Sequence, residues 1–170
     1  MEGGLGEWQA PRMARGYWLF KSEPDVFGWD HLVACPNQTD HWDGVRNYQA
    51  RNLLRDEIKK GDWGFFYHSR TQPPHVVGVV EITRGGYPDP TQFDPDAKYY
   101  DPKSSPDDPR WFVVDVRAKR KLGRAVSLAE LKETAGLEDM RVVQKGSRLS
   151  VQPVTKEEWD IVLALGRAKK

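Results

Sequence analysis

The sequence predicts an α+β fold, in which helices pack outside a small β-sheet that is curled or closed. Short runs of aromatic and β-branched residues, such as residues 63–68 and 75–83, are typical of strands. Segments with apolar residues at helical spacing lie between these runs. Strands and helices do not alternate regularly enough for a doubly wound parallel sheet. The 170 residues contain no internal repeat and no linker, so we expect one domain.

Composition and motifs exclude several classes of protein. Hydrophobic residues make up 38% and charged residues 30%, and the net charge is +1, so contact with nucleic acid requires a local charged patch. No apolar run approaches the roughly 18 residues that span a membrane. The single cysteine, Cys35, excludes an internal disulfide and a multi-cysteine zinc site. Signatures of phosphate-binding loops, serine hydrolases and zinc proteases are missing, so we expect no cofactor, no metal and no catalysis.

The chain begins with a segment of low order and then a strand. Residues 1–16 are glycine-rich and lack periodicity, which predicts a disordered leader before a single domain at 17–167. The apolar run 17–21 predicts a strand that ends at a proline. Lys21 and Ser22 therefore lie at a strand exit, where binding groups are common, although a solvated strand end is the alternative.

The stretch His41–Asn47 (HWDGVRN) is the most informative in the chain. After a short helix around residues 29–32, it places Trp42 before an Asp-Gly turn. We expect Asn47 to cap a helix that ends at Gly61. An indole fixed beside a helix start could form one wall of a pocket for a flat ligand. The alternative is a core aromatic, which is favoured for any single member of seven tryptophans.

The middle of the chain predicts a β-hairpin followed by an unusual loop. In the first strand, alternation places Trp63, Phe65 and Tyr67 on one side and Phe66 and His68 on the other. A short loop joins this strand to the second, at 75–83. Half of the twelve prolines fall in residues 85–110, mostly beside aspartates, which argues against regular structure. Four aromatics in this segment favour a long ordered loop that lies across the domain.

The last third of the chain predicts two strands and two helices. Residues 111–116 predict a strand that continues into the basic run 117–121. Capping boxes at 127–130 and 155–158 predict helix starts. Residues 148–151 predict a short strand closed by Gln152-Pro153, and Gly166 is expected to end the last helix.

Several polar residues are candidates for chemistry or binding. His68 and Ser69 end a strand, and Arg148 and Ser150 share one face of a late strand and could point the same way. Each pair could also be an ordinary surface pair. Cys35 with a histidine could form a nucleophile pair, but a small residue ending a helix is the simpler interpretation. The dense basic run could contact phosphates or be a solvated strand edge; its members are Arg117, Lys119, Arg120, Lys121 and Arg124.

Six ordered blocks together carry a resemblance to a known family. YWLFKSEP, WDGVRNYQARN, GDWGFFYHS, YPDPTQFDP, PRWFVVDV and RLSVQPVTKEEW resemble the EVE domain family over about residues 17–165. The resemblance implies a PUA-like fold, a small β-barrel with helices packed outside, related to the YTH domains. It also implies a non-catalytic reader of modified bases. Methylated or hydroxymethylated cytosine in DNA is the main candidate and modified RNA is the rival.

The resemblance also implies roles for particular residues. Trp42 would be the wall of an aromatic cage for a base swung out of the stack, with Lys21 and Ser22 facing it. Asn47 would hydrogen-bond a base edge. The remaining implied pocket residues are Tyr67, His68, Ser69, Arg148, Ser150 and Pro153, and the implied phosphate contacts are Arg117, Lys119, Arg120 and Lys121.

Two other functions remain open at this level. The chain could be an enzyme that acts on a modified nucleotide or tRNA, with His68 as general base. It could also be an adaptor whose proline- and aspartate-rich loop contacts another protein. The compartment would be the cytoplasm in a bacterium and the nucleus in a eukaryote, and the oligomeric state is open.

Overall fold

The fold is built on one mixed six-stranded sheet. The structure is a computed structural model that describes residues 15–146 and 148–167. The strands, in sheet order β2-β5-β4-β3-β1-β6, are β1 (Tyr17–Ser22), β2 (Thr39–His41), β3 (Trp63–His68), β4 (His75–Pro88), β5 (Phe112–Ser127) and β6 (Val151–Val154). The helices are α1 (Pro24–Phe27), α2 (Trp29–Ala34), α3 (Tyr48–Asn52), α4 (Leu128–Glu133) and α5 (Lys156–Leu165).

The strand pairing confirms an α+β fold with a mixed sheet. Strands β1 and β3 are parallel, and the other neighbours are antiparallel, including the predicted β3–β4 hairpin. In the pairings of the described residues, β2 and β6 are the two edges of the sheet. Closure of the sheet into a barrel therefore stays a prediction.

Each face of the sheet packs against its own hydrophobic core. Phe66 points to one core together with Trp29 of α2 and Leu54, which follows α3. Phe65 points to the other core, where the Trp159 ring of α5 stacks on it at 3.9 Å. The predicted alternation along β3 is confirmed because neighbouring side chains of a strand face opposite sides.

The helix after Asn47 is shorter than predicted. The Asn47 side chain accepts a hydrogen bond from the Ala50 N–H at 2.9 Å, which confirms it as the N-cap. Beyond α3 the chain makes one π-helical turn, Leu53–Glu57, closed by the Ile58 N–H on the Leu53 carbonyl at 2.9 Å. Ile58 then turns extended and is buried, so the predicted end at Gly61 is wrong.

The late strand is also shifted from its predicted position. It is Val151–Val154 rather than residues 148–151, and it includes Pro153. Because β6 pairs with β1 and lies at the sheet edge, the missing N–H of this proline leaves no strand partner unsatisfied. Both predicted N-caps are confirmed, at Ser127 for α4 and at Thr155 for α5.

The proline- and aspartate-rich segment is ordered mainly by polar groups. Its first residues belong to β4, so the predicted loop begins after Pro88 rather than at residue 85. The buried Gln92 amide donates to the carbonyls of Asp89 and Trp111, both at 2.8 Å. The Gln92 carbonyl accepts from the Trp111 N–H at 3.0 Å and from the Ser104 hydroxyl at 2.6 Å. One buried side chain thus joins both ends of the loop.

The N-terminal leader falls largely outside the described residues. Residues 1–14 are among those that the structure does not describe, so the predicted disorder stays a prediction. The Gly16 N–H donates to the Asp62 carboxylate at 3.0 Å, which attaches the chain just before β1.

Candidate functional site

A cleft lies at the end of the sheet where the two parallel strands, β1 and β3, terminate. Strand β1 ends at Lys21 and Ser22, and the Ser69 N–H that follows β3 donates to the Ser22 carbonyl at 2.9 Å. A cavity of about 670 Å³ opens at this end. Its volume is in the range of small-molecule binding sites.

Trp42 is a core aromatic and is also one of the residues that line this cleft. The residue is 7% exposed, and the rings of Phe20 and Phe66 contact its indole at centroid distances of 5.2 and 5.4 Å. Phe27 adds a third edge-to-face contact at 6.2 Å. These rings hold the indole in one orientation. The core interpretation is therefore confirmed, and a stacking role for the indole stays a prediction.

The turn after Trp42 is attached to the proline- and aspartate-rich loop. Gly44 has a φ of +77°, and its N–H donates to the Asp89 carboxylate at 3.0 Å. Arg46 also donates to this fully buried carboxylate, at 3.1 Å. Burial opposes ionisation of Asp89, but the hydrogen bonds from Thr91, Gly44 and Arg46 outweigh it and lower its pKa.

Tyr99 of the loop forms a further part of the cleft wall. The Arg46 guanidinium donates to the Tyr99 carbonyl at 2.7 Å, and the Tyr99 ring packs against Gly44. A Cβ atom at Gly44 would lie 2.6 Å from that ring, which is closer than carbon atoms approach. The sequence showed an aromatic loop, but not which aromatic reaches the cleft.

The polar lining of the cleft contains charges of both signs. Three carboxylates, those of Glu23, Asp40 and Asp43, face the cavity together with cations that include Lys21 and Arg148. Carboxylates accept hydrogen bonds from amino groups, while lysine, arginine and serine donate to ring nitrogens and carbonyls. The lining therefore suits a heterocycle that carries both kinds of edge group. The sequence did not single out these acidic residues because nothing separates them from other surface carboxylates.

Two lining groups have shifted pKa values. His41 Nε2 lies 3.5 Å from the Asp43 carboxylate, and this hydrogen bond raises the pKa of His41 although burial opposes it. Burial lowers the pKa of Lys21. Both shifts follow from the half-buried, mixed-charge character of the cleft.

The structure brings together six of the ten residues that the sequence and the resemblance proposed for the pocket, namely Lys21, Ser22, Trp42, Ser69, Arg148 and Ser150. Tyr67 lies instead in an adjoining groove, where burial raises its pKa to about 12. Asn47, His68 and Pro153 are not part of the cleft lining. Asn47 uses its side-chain oxygen to cap α3, and Pro153 lies three residues back along the strands, opposite Trp18. Direct contact between these residues and a base stays a prediction.

His68 uses both ring nitrogens inside the fold. The Trp29 N–H donates to His68 Nε2 at 3.1 Å, so His68 Nδ1 carries the proton and donates to His75 Nε2, also at 3.1 Å. His75 Nδ1 in turn donates to the Pro73 carbonyl at 2.8 Å. Burial, and then the neighbouring His75, lower the pKa of His68 to about 4. Neither ring nitrogen of His68 is therefore free for the general-base role that the enzyme hypothesis assigned to this residue.

The basic run on β5 is engaged in contacts within the sheet. Arg117 forms an ion pair with Glu81 at 2.6 Å, and the Lys119 ammonium lies 5.3 Å from the Trp63 ring centroid. Arg117 pairs with Thr39 of β2, the residue before Asp40 of the cleft lining, but none of the four basic residues lines the cleft itself. A phosphate-contacting role for Arg117, Lys119, Arg120 and Lys121 stays a prediction.

Cys35 has a local structural role. It ends α2, and its thiol donates to the His31 carbonyl at 3.3 Å. Burial, followed by the nearby Asp40, raises the pKa of the Cys35 thiol, which disfavours the nucleophilic thiolate. Within residues 15–146 and 148–167, no group of histidine, cysteine and acidic side chains is arranged to hold a metal ion. No helix in the same ranges is long and apolar enough to cross a membrane.

The fold and the cleft together define a class of protein. It is an α+β domain whose mixed sheet opens, at the ends of two parallel strands, into a cleft lined by charged, polar and aromatic residues. The EVE domain family model matches residues 16–165, and the chain belongs to this family.

Named relatives and solved structures agree with this assignment. Thymocyte nuclear protein 1 of Danio rerio is 46% identical over 165 residues, which cover 87% of this chain and 71% of that protein. The crystal structure of human THYN1 in complex with 5-methylcytosine containing DNA is 43% identical, with a TM-score of 0.83 over 91% of this chain and 99% of the other. A Pseudomonas putida protein structure is 48% identical, with a TM-score of 0.83 over 88% and 98%.

A more distant likeness concerns the fold alone. A YTH domain from Zygosaccharomyces rouxii matches with 14% identity and a TM-score of 0.54, over 96% of this chain and 94% of the other. The structural relation to YTH domains that the resemblance implied is confirmed at the level of the fold.

Proposed function

We propose that this EVE domain is a non-catalytic reader that binds a modified base in the cleft beside Trp42. The observation that carries the proposal is the position of Trp42, whose indole is held by phenyl rings and which is one of the residues lining a cavity large enough for a base. The complex of human THYN1 with 5-methylcytosine containing DNA supports methylated cytosine in DNA as the first ligand class. Hydroxymethylated cytosine and modified RNA are the next classes to test.

The stacking surface accounts for a large part of the expected affinity. Extruding a base from a duplex costs a few kcal/mol, and stacking on an aromatic side chain returns on the order of 1–3 kcal/mol. Phe20, Phe27 and Phe66 already hold the indole in place before a base binds. Binding therefore costs little conformational entropy of this side chain.

The rim of the cleft favours cytosine over thymine. Cytosine presents an amino donor where thymine presents a carbonyl acceptor, and carboxylates accept only from the donor. Asp40, Asp43 and Glu23 supply such acceptors, and Ser22 and Ser150 supply hydroxyls that can serve the other edge groups.

Recognition of the methyl group is expected to be modest. Val26 and Phe27 form the apolar part of the lining besides Trp42 and Val45. A methyl group that becomes fully buried contributes about 0.8 kcal/mol. This free energy corresponds to a preference of about fourfold over unmodified cytosine.

The loop that encloses the cleft bears on possible protein partners, and the relatives bear on the compartment. Tyr99 belongs to the proline- and aspartate-rich loop, so this loop serves the cleft, and a protein partner on its outer face is a separate prediction. The relatives' name, thymocyte nuclear protein 1, supports a nuclear location if the source is a eukaryote. A bacterial source would place the protein in the cytoplasm.

The proposal is tested by titrating labelled oligonucleotides that carry one 5-methylcytosine, 5-hydroxymethylcytosine, cytosine or thymine. We expect several-fold tighter binding of the modified cytosines and weakest binding of thymine. Trp42→Phe retains the packing against Phe66 with a smaller stacking surface, so it should weaken binding severalfold. Trp63→Phe, at the opposite end of β3, is the matched control and should bind like the wild type.

Two results would contradict the proposal. Equal affinity of the wild type for all four oligonucleotides would contradict selective recognition of a modified base. Equal binding by the Trp42→Phe and Trp63→Phe variants would contradict the cleft as the binding site. Mass spectrometry of the recovered oligonucleotides tests catalysis in the same samples, and an unaltered base is the expected result.

A further inference from the structure

A second groove adjoins the cleft, and the geometry points to it as the binding site for the backbone phosphates of the nucleic-acid strand whose base enters the cleft. The groove has a volume of about 330 Å³ and shares Lys21, Ser69 and Arg70 with the cleft. Its other walls come from α4, from residues 142–146, from Pro74 and from the end of β3. The identity of the strand rests on the proposed function, whereas the phosphate chemistry of the groove does not.

The groove and the cleft differ in the charges of the residues that line them. Among the described residues that line the groove, four are cationic and none is acidic, and the cations are Lys21, Arg70, Lys132 and Lys145. The cleft also has four cations, but it adds the carboxylates of Glu23, Asp40 and Asp43. Carboxylates repel phosphates, so a bound strand would place its base in the cleft and its backbone in the groove. With a net charge of +1 on the whole chain, this local excess is the patch that nucleic-acid binding requires.

The lysines of the groove are available to a ligand. Lys132 and Lys145 are exposed, and neither takes part in the ion pairs found among the described residues. Arg70 contacts Glu23 at 3.3 Å, in an exposed pair that contributes little and can exchange partners. The floor is apolar, from Leu128 and Val142, which suits the sugar between two phosphates.

Continuity with the cleft favours the groove over the basic run of β5. Each strand of a duplex carries one phosphate per roughly 3.4 Å of helix axis, so the phosphates next to an extruded nucleotide lie close to its base. The groove shares Lys21, Ser69 and Arg70 with the cleft, so it is within reach of these phosphates. The basic run of β5 contributes no residue to the lining of either the cleft or the groove.

The test compares two double variants with the same change in charge. Lys132→Glu/Lys145→Glu alters the groove. Lys59→Glu/Lys60→Glu alters two exposed lysines that precede β3, at the far end from the cleft. Dissociation constants for 5-methylcytosine and cytosine oligonucleotides are measured between 50 and 200 mM salt, and thermal melting checks that both variants fold. Lys132→Gln/Lys145→Gln provides a milder version that removes charge without reversing it.

We expect the groove variant to lose tenfold or more in affinity at low salt, with a dependence of log K on log salt that is shallower by about 1–2. The glutamine variant should lose less, and the Lys59/Lys60 variant should stay within about twofold of the wild type. The ratio of affinities for 5-methylcytosine and cytosine should not change, because the groove contacts no base. Equal losses in the groove and control variants would overturn the inference.

The outcome for the groove is separable from the outcome for base reading. A wild type that binds all oligonucleotides alike, with affinity still lost in the groove variant, contradicts the reader proposal and supports the phosphate site. A wild type that prefers modified cytosine, with a groove variant unchanged in affinity and salt dependence, contradicts the phosphate site alone. A wild type that binds no oligonucleotide contradicts both.

Discussion

Replacing Gly44 by alanine should disturb the cleft through two separate effects. The first is backbone strain, because Gly44 has a φ of +77°, which non-glycine residues adopt at a cost of about 1–2 kcal/mol. The second is a collision, since the added Cβ would lie 2.6 Å from the ring of Tyr99. Overpacking of this kind costs about 1–3 kcal/mol when the neighbour has to move. Tyr99 is half-buried and can yield in part, so we expect a total loss near 3 kcal/mol.

Denaturant unfolding and a double-mutant cycle with Tyr99→Ala separate the two effects. For a chain of this length, about 3 kcal/mol corresponds to a fall in Tm of roughly 6–12 °C. In the Tyr99→Ala background the collision is absent, so Gly44→Ala should cost only the strain of about 1–2 kcal/mol. The coupling free energy should therefore be about 1–3 kcal/mol.

Binding provides a second measurement for the same variants. A displaced Tyr99 changes the wall of the cleft, so Gly44→Ala should weaken binding of the 5-methylcytosine oligonucleotide. Equal costs of Gly44→Ala in the wild-type and Tyr99→Ala backgrounds would refute the contact between the turn and the loop. Unchanged binding by a folded Gly44→Ala variant would refute Tyr99 as part of the site.

Three further predictions follow from other contacts. Trp42→Ala should destabilise the fold by about 3–5 kcal/mol, because the indole fills space between phenyl rings, and the loss is measured by urea unfolding. The pKa of His68 falls from 6.5 to about 4 on folding, so the unfolded chain binds more protons between these values and stability falls as the pH falls through that window. The contribution is about 1–2 kcal/mol once solvent screening is allowed for, and His68→Gln should flatten the stability profile between pH 6.5 and 4 without changing it above pH 7. Gln92→Ala should detach the loop whose two ends it joins, which limited proteolysis within residues 89–111 would detect as faster cleavage than in the wild type.

The sequence was most informative where the determining interactions are local. The strands at β1 and β3, the turn glycine at residue 44 and the caps at Asn47 and Thr155 depend on alternation, backbone freedom or hydrogen bonds between near neighbours. Predictions failed where a distant contact overrode local propensity. The helix after Asn47 stops early, and Ile58 adopts an extended backbone and packs in the core with residues far along the chain, such as Val114. Pro153 is accepted in a strand because that strand lies at the sheet edge.

The same division applies to the candidate site. Residues at or just after the ends of two predicted strands could be proposed for the site from the sequence. Three of them, Lys21, Ser22 and Ser69, line the cleft. Asp40, Asp43 and Tyr99 could not be identified, because their place in the lining depends on how a loop 45 residues further along packs against the Trp42 turn, through the Gly44–Asp89 hydrogen bond.

The sequence by itself determined the class of fold, the family and the residues of the Trp42 turn, since these depend on the order and spacing of residue types. Tertiary structure alone decided that Trp42 is a core residue that also lines the cleft, that His68 is internally bonded, and that four cations and no acidic residue line the groove beside the cleft. The physical reason is that a charge or a ring acquires its role from the groups that surround it. For this cleft and groove, those groups come from segments far apart in the chain.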